Sequence, residues 1–155
     1  MSEERGAAVR DVGFLILRLG IGLAFVIHGW PKMSGGPQRW TELGQAMGVL
    51  GVTFAPTFWG FMAASAEFFG GIALVLGLLV RPFCMLMAIT MFVAAAMHLS
   101  GEKAFPEKLG EALHALEMLS VFVALLLLGP GRLTLWRLLR PILRRSGKAA
   151  SKAGT

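Results

Sequence analysis

The sequence predicts an all-α integral membrane protein, a four-helix bundle. Three observations carry this. Hydrophobic residues fill 55% of the 155 positions and mean hydropathy is +0.68, too apolar for an ordinary soluble domain. Four runs approach or exceed the roughly 20 mostly apolar residues needed to cross a hydrocarbon core. No stretch shows the alternating apolar and polar period of a half-buried strand.

The spans are expected at residues 12–30, 57–80, 83–99 and 112–128. The first runs from Val12 to Trp30 and stops before Pro31. Arg5 and Arg10 precede it, as in a signal peptide, but no Ala-x-Ala-like site follows, so it reads as an uncleaved membrane helix. The second carries Ala66, Gly70, Ala73 and Gly77 on one face, and such small residues let helix backbones approach closely in a membrane. The third opens behind Arg81-Pro82, where proline suits a first helical turn. The fourth stops at Gly129-Pro130-Gly131. In the first connection Trp40, Leu43, Met47 and Leu50 recur at helical spacing, opposed by Arg39, Glu42 and Gln45. A short amphipathic helix, lying on the outer surface or capping the bundle, is expected there. The membrane domain takes in residues 1–140. A basic tail follows over 133–155, and its end, rich in Ser, Gly, Ala and Lys, is expected to be disordered.

Net charge is +6, and its distribution bears on topology. Arg5, Arg10, Arg81 and the seven Lys and Arg residues from Arg132 onward share one side of a four-span chain. Lys32, Arg39, Lys103 and Lys108 fall on the other. The positive-inside bias then puts both termini in the cytoplasm. A nucleic-acid reader would need basic residues interleaved along a folded soluble face, so nucleic acid is not an expected partner. The single cysteine, Cys84, cannot make an intramolecular disulfide couple and reads as a small packing residue.

The spans also carry ionisable residues, which hydrocarbon tolerates poorly. They are Arg18 and His28, then Glu67, His98, His114 and Glu117. From the rise of about 1.5 Å per residue, Glu67 lies roughly 15 Å in from the outer start of its span, and Arg18 about 9 Å from the inner side. These depths make an Arg18–Glu67 ion pair inside the bundle the first expectation, with Arg18 snorkelling to the inner head groups, or Glu67 pairing with His28 and His98, as the alternatives. They also predict an outward-open pocket lined by His28, Glu67, His98 and Glu117, whose groups handle protons or a ligand. A metal would use His98, His114 and Glu117. The Glu-x-x-His pairs of carboxylate-bridged bundle sites are not repeated here, so no metal is assigned. Lys32 is read as interfacial.

Taken together, Arg18-Leu-Gly, His28-Gly-x-x-Lys32, Ala66-Glu67-x-x-Gly70-Gly71, Arg81, His98, Glu117 and Gly129-Pro130-Gly131-Arg132-Leu133-Thr134 resemble the DoxX family. The resemblance runs from about Arg18 to Trp136. It departs at Trp136, where family members often have Asp. It implies a small four-helix protein of the bacterial inner membrane that serves as a subunit of redox systems. Related proteins belong to a thiosulfate:quinone oxidoreductase, or join a sulfurtransferase and a superoxide dismutase in defence against oxidative stress.

The expected function is accordingly a membrane subunit of a quinone- or thiol/sulfur-linked oxidoreductase. No cofactor is assigned; a quinone is a better candidate than haem or metal. The expected partners are lipid, other redox proteins carrying the electron-transfer centre, and a second copy of the chain. The alternatives are a non-catalytic anchor that assembles partners, or a small-molecule carrier. Inverted repeats, common in carriers, are not evident.

Overall fold

The computed structural model describes residues 2–101, 105–135 and 137. Lys103, Trp136 and the tail from residue 138 onward, with its expected disorder, lie outside the described residues. The helices are α1 (Ser2–Ser34), α2 (Gly36–Gly44), α3 (Pro56–Leu76), α4 (Val80–Ser100) and α5 (Phe105–Leu128), with a 3-10 turn at Gln45–Leu50 between α2 and α3. There is no strand among the described residues. α1, α3, α4 and α5 are long and apolar enough to cross a membrane, and the chain is an all-helical, multi-pass membrane protein.

The helix ends differ from the apolar runs: α1 begins at Ser2, ten residues before Val12, and α4 begins at Val80, ahead of Arg81-Pro82. α1 does not stop before Pro31 but continues to Ser34. Proline costs one bond to the carbonyl four residues back, and the turn beyond it closes through the Gly35 N–H on the Pro31 carbonyl at 3.1 Å. α3 ends at Leu76, short of Val80, because Gly77 takes a left-handed cap at φ +69, a conformation that costs glycine least. α5 starts at Phe105, seven residues before the apolar run. Glu107, Lys108 and Glu111 propagate it as polar turns, with Pro106 in the first of them. The amphipathic segment of the first connection is helical as expected, split into α2 and the 3-10 turn.

α3 is the most enclosed of the four long helices. One side meets α1 through glycines. A Cβ on Gly71 would lie 2.7 Å from the Gly22 carbonyl oxygen, and one on Gly29 would lie 2.6 Å from the Phe68 nitrogen. The expected stripe of Ala66, Gly70, Ala73 and Gly77 is buried. Its Gly70 faces Met87 of α4, where a Cβ would come within 2.6 Å of the sulfur. The core gathers Phe25, Leu74, Cys84, Met87, Phe122 and Leu125. Phe25 of α1 meets Phe122 of α5 edge-on, with ring centroids 5.0 Å apart. Cys84 is fully enclosed there.

α2 forms a roof over one end. The Trp40 indole donates to the Lys32 carbonyl oxygen at 3.0 Å, and its ring packs on Phe61 of α3 at 4.9 Å. Gly44 and Gly60 let α2 and α3 touch backbone to backbone. A Cβ on Gly60 would overlap the Trp40 carbonyl oxygen, and one on Gly44 the Pro56 carbonyl oxygen.

The other end is tied by long-range contacts. Buried Asp11 accepts the Arg132 backbone N–H at 3.0 Å. Arg18, 1% exposed, donates through Nη2 to the Leu133 carbonyl. Asp11→Ala should lower stability by about 1–2 kcal/mol, since a charge-assisted bond is lost and an N–H is stranded. Thermal unfolding in detergent measures it, and an unchanged midpoint would contradict the tie.

Candidate functional site

Beneath the roof lies a cavity of about 570 Å³, walled by α1, α2, α3 and α4. Its floor is an ion pair. The Lys32 ammonium, from the last turn of α1, donates to both carboxylate oxygens of Glu67, at 2.7 Å to Oε1 and 2.6 Å to Oε2. The Glu67 side chain is 4% exposed and that of Lys32 is 31% exposed. The carboxylate is therefore enclosed by protein while the ammonium reaches the cavity. Both residues line it.

The backbone explains the pairing. Gly29, with no side chain, lets α1 press on α3 at Glu67 and Phe68. Lys32 lies about one turn further along α1, level with Glu67. Around the pair the lining is mostly apolar, with Met47, Phe58, Trp59, Met62, Ile89 and Met97 among it. The indole Nε1 of Trp59 is buried with no acceptor among the described residues. Arg39 and Glu42 line the α2 side and bond each other at 2.8 Å. His98 lines the α4 side. Its Nδ1 donates to a Glu111 carboxylate oxygen of α5 at 3.1 Å. In a neutral ring this leaves Nε2 as an acceptor.

Of the four expected pocket residues, the structure brings two together. Glu67 and His98 share the cavity; His28 and Glu117 do not line it. His28 is exposed on α1, with its Nδ1 bonded to the Ala24 carbonyl at 2.9 Å. Glu117 is exposed on α5. Depth arithmetic placed both near the right level, but each helical residue turns the side chain by about 100°, and their faces point elsewhere. The expected Arg18–Glu67 pair is also corrected. Arg18 is 14 positions before Lys32 in the sequence, so it lies about 21 Å further down the helix. It sits beside Gly77 and Leu133. The first turn of α3 belongs to the roof layer, against Trp40 and Gly44. Glu67 therefore lies nearer the roofed end than its position in α3 suggests. His114 is exposed on α5. His98, His114 and Glu117 form no metal-holding group among the described residues.

Sequence reasoning missed Lys32, Trp59, Arg39 and Glu42. Lys32 had a signal, since it closes the His28-Gly-x-x-Lys32 motif. Trp59 had none, because a tryptophan near a span end reads as an interfacial anchor.

A sequence model of the DoxX family matches residues 13–99, more than half of the chain. The matched stretch takes in Lys32, Glu67, Trp59 and His98, and stops short of Glu117 and the Gly129–Leu133 motif. No curated protein and no solved structure matches.

Proposed function

The chain belongs to the DoxX family, and from that premise we propose that it is a membrane subunit of a quinone- or thiol/sulfur-linked redox system that takes part in oxidative-stress defence. On this reading it lies in the bacterial inner membrane with both termini in the cytoplasm, so the roofed cavity opens to the outer side. The carrying observation is the Lys32–Glu67 pair, its carboxylate enclosed, at the floor of a mostly apolar cavity, with Trp59, whose N–H has no acceptor among the described residues, and His98 in its walls.

These residues fit a quinone head group. Phe58, Trp59, Met62 and Ile89 would flank the ring, while Trp59 and Lys32 would donate to its carbonyl oxygens. When bound, the head group supplies a two-electron, two-proton acceptor. Lys32 and His98 would exchange protons with the head group. Glu67 holds the ammonium in place, and Glu111 holds the His98 ring. With a single cysteine, the chain has no thiol couple of its own, and the electrons come from a partner protein.

Titrating the purified protein with a short-chain ubiquinone analogue, read by tryptophan fluorescence, tests this. Binding is expected, weakened about tenfold by Trp59→Phe through loss of one hydrogen bond in an enclosed site. His98→Phe should slow reduction by the partner system more than it weakens binding. If the folded wild type does not take up the analogue, while partner proteins still co-purify with it, the anchor reading replaces this one.

A further inference from the structure

A second and larger cavity, about 960 Å³, lies at the opposite end of the bundle from the Lys32–Glu67 pair. Arg10 of α1, Arg81 of α4, and Arg132 and Arg137 beyond α5 line it, with Asp11 as the one acid in the wall. None of the four arginines forms an ion pair with a described residue. The Asp11 carboxylate is occupied by the Arg132 backbone N–H, and Arg81 reaches the Leu127 carbonyl only at 3.4 Å. Arg132 also borders a smaller cleft with Glu3 and Glu4.

Other features of the cavity point the same way. Gly77 and Thr134 are part of its wall. Arg18 lies against Gly77 and is itself 1% exposed, with Nε and Nη1 unpartnered among the described residues. The first turn of α4 opens on the cavity; Pro82 has no N–H and the Phe83 N–H bonds the Leu79 carbonyl at 3.2 Å, which leaves the Val80 and Arg81 N–H groups without an acceptor in the helix. Leu79 and Leu128 also line it and are 70% and 66% exposed. These leucines place an apolar edge beside the guanidinium groups.

Four arginines lining one cavity with a single acid raise a positive potential that an anion relieves. Guanidinium forks bind phosphate oxygens in pairs. We propose that this cavity is a binding site for a phosphate-bearing anion, its apolar edge matching the head-group end of an acidic phospholipid. Basic pockets between membrane helices take such head groups. The site is separate from the roofed cavity and does not depend on what that cavity binds.

The test uses the full chain purified in neutral detergent. Phosphatidylglycerol, phosphatidylcholine and inorganic phosphate are titrated separately while thermal unfolding is followed, and the series is repeated on Arg10→Gln/Arg137→Gln. Each basic residue near an anionic surface contributes roughly fivefold in affinity, so the double variant should bind about 25-fold more weakly. Stabilisation by phosphatidylglycerol that the variant loses assigns the site to a lipid head group. Stabilisation by inorganic phosphate that the variant loses assigns it to a free phosphate. Either result supports the proposal. It is overturned if neither anion stabilises the wild type, if phosphatidylcholine does so equally well, or if the variant responds like the wild type. Both substituted arginines are exposed, so the variant is expected to fold. If it does not, native mass spectrometry of the wild type decides: retained phosphatidylglycerol or phosphate in preference to phosphatidylcholine supports the site, and no preference overturns it.

Discussion

Lys32→Met is expected to lower the stability of the detergent-solubilised protein by about 3 kcal/mol. The substitution removes the ammonium and leaves the Glu67 carboxylate, 4% exposed, with no counter-charge. Removing one partner of a buried pair costs about 3–5 kcal/mol, whereas replacing both by apolar side chains is often close to neutral. Lys32 is partly open to the cavity, which holds the figure at the lower end. Lys32→Met/Glu67→Met should therefore recover most of the loss. A double-mutant cycle reads the pairing directly. Lys32→Met and Glu67→Gln should couple strongly, while Arg18→Met and Glu67→Gln should add within about 0.5 kcal/mol, as distant sites do. Coupling between Arg18 and Glu67, with none to Lys32, would refute the assignment.

Gly60→Ala is expected to cost about 3 kcal/mol and to open the roof. The added Cβ would overlap the carbonyl oxygen of Trp40, and a backbone atom in a packed helix cannot swing aside as a side chain does. Overpacking costs about 1–3 kcal/mol, occasionally more, and a backbone clash belongs at the top of that range. α2 must lift from α3, and the Trp40–Lys32 hydrogen bond and the Trp40–Phe61 ring contact go with it. Unfolding in detergent measures the loss. Limited proteolysis in the α2 segment should become faster than in the wild type. A variant with native stability and native protease resistance would show that α2 does not sit on Gly60.

The four spans and the α2 segment were legible because composition and run length report membrane crossing directly, and a 3.6-residue period reports an amphipathic face. Glu67 was legible as enclosed, since no route to water is short enough from its place in α3. Its partner was not. The level at which two helices meet depends on where each begins relative to the roof, and that is set by backbone contacts at Gly44 and Gly60 that leave no mark in the apolar pattern. His28 and Glu117 show a related gap. Their depth followed from counting residues, but the face each presents depends on which neighbours its helix packs against. Arg18 was rightly judged enclosed, yet its acceptor is a carbonyl of the segment after α5, a class of partner that a search for opposite charges passes over.

The enclosure of α3 bears on how the chain enters the membrane. Of the four long helices, α3 is the one most covered by protein. It leans on neighbouring helices more than the other three do, and among those neighbours only α1 and the short α2 precede it in the chain. During synthesis α3 emerges when α1 is already available, with Gly22 and Gly29 presenting the shallow face that Gly71 and Phe68 fit. The α1–α3 pair can therefore close while α4 and α5 are still unmade. Arresting translation once α3 has cleared the ribosome, and before α4 is inserted, should leave a membrane-inserted, protease-resistant α1–α3 hairpin, with the Lys32–Glu67 pair formed before the chain is finished.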